Sequence, residues 1–161
     1  MENLVENFIL QYGYFSIFIL MAIESVIFPL PSELVLGISS FFIKKGNLSF
    51  WGSLLSATLG SLLGSILSYF IGYIIYNILK KFFSKFKLID TKIQKSEKFL
   101  NKYGILGVFV GRFIPALRNI ISYPAGFLRL NFFLFCIFTL LGSFLWCLFL
   151  LLLFLNLLNM V

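Results

Sequence analysis

Histidine is missing from the chain altogether, aspartate occurs once, at Asp90, and the two cysteines, Cys136 and Cys147, both sit inside an apolar run. These gaps remove imidazole acid–base catalysis, Cys/His metal ligation, paired-aspartate magnesium sites and a disulfide framework, so neither a metal nor a cofactor is expected. Charge is scarce too. Of 161 residues only 12% are charged and 60% are apolar, with 22 Phe, where soluble domains carry about 25% charged residues. Thirteen Lys/Arg and six Asp/Glu cannot cover a water-soluble core of this size, and the sequence reads as one all-α integral membrane domain over 1–161. Met1 to Asn7 holds Glu2 and Glu6 but no Lys or Arg, unlike a cleavable secretion signal, so the whole chain is expected to be mature.

Net charge is +7, yet eight of the ten lysines fall between Lys80 and Lys102. Such a local patch has anionic lipid as its counterpart and carries no nucleic-acid signature. Its apolar series Phe82, Phe86, Ile89, Ile93, Leu100 and Tyr103 steps by three and four, which predicts a basic amphipathic helix over 80–102 lying in the interface. The positive-inside rule places it on the cytoplasmic side.

On either side of this patch the chain has the same plan. In 8–43 two charges, Glu24 and Glu33, flank Pro29 and Pro31, and prolines at that spacing predict a helix broken inside the membrane. The arm after the break, Ser32 to Ile43, has twelve residues and reaches only ~18 Å of a ~30 Å hydrocarbon core, so this segment is expected to be a re-entrant hairpin. Phe50 to Leu79 follows without a single charge, N-capped by Ser49, and reads as a transmembrane helix over 50–79. On it Gly52, Ser56, Gly60, Gly64, Ser68 and Gly72 recur every fourth residue. A small-residue stripe of that kind lets another helix backbone approach, with Gly60, Gly64, Ser68 and Gly72 as the packing positions. The stretch 105–128 again interrupts an apolar run, with Arg112, Pro115, Arg118 and Pro124, and its arms around Pro115 are only about a dozen residues each. A second uncharged helix over 132–155, N-capped by Asn131, completes the copy.

Short matches join the copies: Tyr12-Gly13 with Tyr103-Gly104, and Leu59-Gly60-Ser61-Leu62-Leu63 with Leu141-Gly142-Ser143-Phe144-Leu145. If each hairpin is re-entrant and each long helix crosses once, the two hairpins enter from opposite faces, giving an inverted repeat. The predicted fold is therefore two re-entrant hairpins, each followed by a transmembrane helix, with the basic interfacial helix between them. Irregular backbone at membrane depth is tolerated where it is buried or lines a cavity, as in transporters.

Intramembrane charges are expensive, at about 2.5–3.5 kcal/mol each on insertion scales. On unbroken helices Glu24 and Glu33 would point about 180° apart and Arg112 and Arg118 about 120° apart, so only the breaks at Pro29, Pro31 and Pro115 allow each pair to converge. Arg112 and Arg118 suit a phosphate head group, because the guanidinium fork holds phosphate oxygens bidentately and stays charged. Glu24 and Glu33 are candidates for proton coupling, since burial raises a carboxyl pKa and a nearby arginine lowers it. The competing reading is that all four form a salt-bridge cluster holding the hairpins together.

The blocks ESVIFPLPSE (Glu24, Pro29, Pro31, Ser32, Glu33), GSLLGSILSYFIG (Gly60, Gly64, Tyr69, Gly72) and GRFIPALR (Gly111, Arg112, Phe113, Pro115, Arg118), followed by Pro124-Ala125-Gly126, stand in this order. Together they resemble the DedA family of the SNARE-associated, VTT-domain superfamily, over about Gly13 to Trp146. The resemblance implies a multi-pass protein of the bacterial cytoplasmic (inner) membrane with two re-entrant hairpins. It also implies translocation of undecaprenyl phosphate or another phospholipid, coupled to protons or sodium. It places the family's essential acid on Glu24 or Glu33 and its arginine pair on Arg112 and Arg118. Many relatives carry an acid where this chain has Ser65, and an Arg and a Gly where it has Tyr73 and Tyr76. Relatives usually continue past the last helix, so the short chain is expected to work as a homodimer. The expected partners are membrane lipids with anionic or prenyl phosphate head groups. A structural or partner-binding role, and a lipid-phosphate-processing enzyme, remain as alternatives.

Overall fold

In the computed structural model, which describes residues 2–26, 32–82 and 104–160, every regular element among the described residues is a helix. Helix α1 (Glu2–Tyr12) buries Val5 and Ile9, one turn apart, and ends at Gly13. The Gly13 N–H donates to the Ile9 carbonyl at 2.8 Å and its φ is +56°, a left-handed turn that side chains with a β-carbon resist. Gly104, its counterpart in the second copy, has the same φ of +56°.

Helices α2 (Tyr14–Val26) and α3 (Ser32–Lys44) have 13 residues each, or ~20 Å of length. The expected breaks at Pro29 and Pro31 lie outside the described residues. The leading arm of the 8–43 segment is not one helix, since Gly13 divides it. Helices α1, α2 and α3 all pack on one another.

Helix α4 (Phe50–Phe82) runs for 33 residues from a Ser49 cap, whose Oγ accepts the Gly52 N–H at 3.1 Å. The Tyr14 hydroxyl donates to Ser49 Oγ at 3.1 Å and accepts the Ser49 N–H at 2.7 Å, which sets the starts of α2 and α4 at one level. The expected basic helix over 80–102 lies, beyond Phe82, outside the described residues.

After helix α5 (104–111) come two short helices, α6 (Pro115–Arg118) and α7 (Ser122–Phe127). The sequence predicts a single arm after Pro115, whereas the structure breaks that arm again. Pro124 explains the second break. It lacks an N–H to continue a helix from α6, yet fits the first turn of α7, where amide donors have no intrahelical partner. Helix α8 (Phe132–Met160) has 29 residues, and Asn131 Oδ1 accepts the Leu134 N–H at 3.2 Å at its start.

Among the described residues two helical stretches are long and apolar enough to cross a membrane, Phe50–Ile74 and Phe132–Met160. Helix α4 is built outward for hydrocarbon: Leu55, Leu59, Leu63 and Leu67 are exposed, while Ser53, Thr58, Ser61, Ser65 and Ser68 are buried. Water would reverse that arrangement, whereas lipid leaves close packing and hydrogen bonds as the forces between helices. Several buried hydroxyls are satisfied within their own helix, Ser39 on Val35, Ser40 on Leu36 and Thr58 on Leu54, all at 2.7 to 2.8 Å.

The chain forms two compact units, one from 1–64 with 143–161 and the other from 65–142. The first is centred on Ile17, Met21, Val35, Leu36, Leu54, Ala57, Cys147 and Leu151, the second on Tyr69, Val108, Ile121, Ala125 and Phe135. Each unit thus holds one broken segment and one part each of α4 and α8.

Candidate functional site

In the second unit the helix over 104–111 tightens before it breaks. Arg112, Phe113 and Ile114 donate their amides three residues back, to Phe109, Val110 and Gly111, at 3.1 to 3.2 Å. Ile114, placed before a proline, is extended at φ −101° and ψ 109°, as the proline ring requires, and α6 begins on Pro115. Arg112 therefore sits in the last tight turn before the break, and Arg118 closes the short helix after it.

Both arginines are buried, Arg112 at 4% and Arg118 at 8% exposure. Arg112 Nη2 donates to Ser65 Oγ on α4 at 2.8 Å and to Ser122 Oγ on α7 at 3.4 Å. The aliphatic stem of Arg112 lies on Gly142 of α8, where a Cβ would come within 3.0 Å of its Cδ. Three helices therefore fix this guanidinium: α4 and α7 through hydroxyls, and α8 through a missing side chain.

The frame around it is tight. A Cβ on Gly126 would collide with the Tyr69 carbonyl, and one on Gly72 with the Tyr123 carbonyl, so α4 and α7 meet backbone to backbone. Tyr69 Oη donates to the Leu130 carbonyl at 2.6 Å and its ring packs on Phe132 and Phe135. These contacts lock α7 and the start of α8 onto α4.

The two acids belong to the first unit. Glu24, on α2, is 1% exposed, and Glu33, in the first turn of α3, is half-buried. Beside Glu24, Ser25 Oγ donates to the Met21 carbonyl at 3.0 Å and lies 3.2 Å from Ser61 Oγ. Ser61 Oγ is in turn 3.2 Å from Ser143 Oγ, a buried run of hydroxyls joining α2, α4 and α8. Gly60 and Gly64 face the carbonyls of Phe18 and Ala22, which a Cβ would strike, so α2 is seated directly on α4. Ser68, farther along α4 in the second unit, is fully buried.

The family model for the VTT domain matches residues 28–155. The chain belongs to the VTT-domain family. This VTT domain is 34% identical to undecaprenyl phosphate transporter A of Staphylococcus aureus (strain NCTC 8325 / PS 47) over 158 residues, 95% of this chain and 78% of that protein. It is 34% identical over 152 residues to an alkaline phosphatase-like protein of Lactococcus lactis subsp. lactis (strain IL1403), covering 91% and 71%. It is 32% identical over 135 residues to undecaprenyl phosphate transporter A of Bacillus subtilis (strain 168), covering 83% and 66%. No solved structure matches the VTT domain of this chain significantly.

Sequence reasoning reached the arginines and the α4 stripe but not the groups that hold Arg112. Ser65 and Ser122 lie 47 and 10 residues from it, and Gly142 stands out in sequence only as part of the repeat. Ser65 enters the sequence reading only as a place where many relatives carry an acid, and Ser122 gives no local signal that it accepts a guanidinium.

Proposed function

We propose that this membrane protein translocates a lipid phosphate between leaflets, with Arg112 and Arg118 taking the head group. The observation that carries this reading is Arg112 itself, a guanidinium 4% exposed in a helical protein whose long helices turn large apolar side chains outward. Burying it is costly, and its position is fixed by Ser65, Ser122 and Gly142. A guanidinium held in place is suited to bidentate phosphate recognition. The relatives named as undecaprenyl phosphate transporters support a prenyl phosphate as the cargo.

The reading includes two re-entrant hairpins related by an inverted repeat, which exchange access to the head group between the leaflets. Three observations support it: the 13-residue lengths of α2 and α3, the matching φ of Gly13 and Gly104, and the like make-up of the two units. Glu24 and Glu33 couple movement to a proton or sodium gradient, and the protein lies in the bacterial cytoplasmic membrane as a multi-pass chain with 80–102 facing the cytoplasm. Of the two acids Glu24 is the more deeply buried, at 1% exposure, and is the first candidate for the coupling role.

The test is movement of fluorescent undecaprenyl phosphate and of a fluorescent phospholipid in proteoliposomes. Wild type is compared with an Arg112→Ala/Arg118→Ala variant whose insertion has been verified. Loss of movement in the variant is expected, and wild-type rates from it sink the proposal. The name of the Lactococcus relative favours a second reading, hydrolysis of a lipid phosphate, and release of inorganic phosphate from a prenyl phosphate by the pure protein would establish it.

A further inference from the structure

Helices α3 and α7 end in the same way. At the end of α3 the Asn47 N–H reaches back to the Phe42 carbonyl and the Gly46 N–H to the Ile43 carbonyl, both at 3.0 Å. At the end of α7 the Leu130 N–H reaches the Ala125 carbonyl at 3.1 Å and the Arg129 N–H the Gly126 carbonyl at 3.0 Å. This double closure needs a left-handed residue at the second position. In α3 it is Gly46, at φ +79°, and in α7 it is Arg129, at φ +50°, the one non-glycine residue with positive φ among those described. A large side chain has been kept where glycine is the unstrained choice, and strain of this kind persists where the side chain has a task.

The side chain's setting indicates the task. Arg129 is exposed, and its Cζ stands 5.1 Å from the centre of the Tyr73 ring. It precedes the apolar helix Phe132–Met160 by three residues, and Tyr73 is next to the last residue of the apolar stretch Phe50–Ile74. The seating of Gly126 on the backbone of Tyr69 and Tyr73 fixes the ring beneath the guanidinium. Tyrosines and arginines at the ends of membrane helices lie at head-group depth. A guanidinium held over an aromatic ring within cation–π range is steadied there while its N–H donors can still take phosphate oxygens.

We propose that Arg129, held over the Tyr73 ring at the α7–α8 corner, is a phosphate-binding site for an anionic phospholipid head group at the membrane surface. It stands apart from Arg112, and it does not depend on the transport reading. The test uses the purified full chain in neutral detergent and measures melting temperature and bound lipid by native mass spectrometry. Phosphatidylglycerol, phosphatidylcholine or inorganic phosphate is added in separate arms. Wild type is expected to bind phosphatidylglycerol and to melt higher with it than with the other two.

Arg129→Gly is expected to melt about 2–4 °C higher than wild type without lipid, as the backbone strain is relieved. Its dissociation constant for phosphatidylglycerol should rise about fivefold, matching what one basic residue contributes near an anionic surface. Arg129→Gln, which keeps the strain and loses the charge, should show the weakened binding without the gain in melting temperature. Unchanged lipid affinity in both variants would overturn the proposal. So would a lower lipid-free melting point for Arg129→Gly, which would make the arginine a structural strut, or equal stabilisation by inorganic phosphate, which would make the site one for free anions.

Discussion

Arg112 Nη2 and Ser65 Oγ are 2.8 Å apart, a hydrogen bond that ties the turn before α6 to the middle of α4. Removing the hydroxyl with Ser65→Ala leaves a buried guanidinium short of one acceptor, at a cost of about 1–3 kcal/mol. Melting temperature and lipid movement should therefore fall together. Ser65→Thr, which keeps a hydroxyl at that place, should lose less in both measurements. Wild-type melting and wild-type transport by Ser65→Ala would show that this bond neither holds Arg112 nor bears on the head group.

Gly142 gives a graded version of the same test, because only the flexible stem of Arg112 lies above it, at 3.0 Å from Cδ and 3.3 Å from Cβ for an added methyl. Gly142→Ala can be accommodated by a shift of a few tenths of an ångström in the arginine stem. It should cost less than about 1 kcal/mol in stability while slowing lipid movement, since a catalytic or binding group tolerates only ~0.5 Å of misplacement. Gly142→Leu cannot be accommodated in this way and should lower the melting point as well. Normal transport by Gly142→Leu, with the fold intact, would remove Arg112 from the head-group site.

What the sequence makes legible is whatever repeats locally. The caps at Ser49 and Asn131, the two long apolar helices and the four-residue spacing of Gly60, Gly64, Ser68 and Gly72 all follow from periods and hydrogen bonds within one turn. The partners of that spacing are another matter. Gly60 and Gly64 serve α2, whereas Gly72 serves α7, and a stripe on one helix does not say which neighbour it admits. Ser65 and Ser122 meet Arg112 only through tertiary contact. The second break, between α6 and α7, follows from Pro124 only once its place in a first turn is known. Arg129 carries no sequence mark at all, because its interest lies in a backbone angle.

Two helical glycines, Gly64 and Gly37, meet different surroundings, and alanine substitution should separate them by sign. At Gly64 a methyl would strike the Ala22 carbonyl and come within 2.7 Å of Ser25 Cβ. The backbone carbonyl has nowhere to go, so Gly64→Ala should destabilise by about 1–3 kcal/mol or more. At Gly37 the nearest atoms are the Phe154 ring carbons at 3.6 Å, an ordinary contact. There alanine should stabilise α3 by up to about 1 kcal/mol through the helix preference it brings. Melting of the two variants in the same detergent checks the contrast, and equal effects would mean that α2 does not rest on α4 at Gly64.

Glu24 and Glu33 differ in burial, and that difference should appear in coupling. Glu24, on α2, is 1% exposed, while Glu33 is half-buried in the first turn of α3. Glutamine keeps the shape of each acid and one acceptor oxygen but cannot take up or release a proton. If Glu24 is the coupling group, Glu24→Gln should move lipid at a rate that no longer responds to an imposed pH gradient, while Arg112-dependent binding of the phosphate persists. Glu33→Gln should keep most of the response. Ser61→Ala, which removes the hydroxyl between Ser25 and Ser143, serves as the packing control. It should cost about 0.6 kcal/mol, the average for a hydrogen bond between membrane helices, and leave the gradient response in place. A gradient response that survives in Glu24→Gln and disappears in Glu33→Gln would transfer the coupling role to the acid of α3.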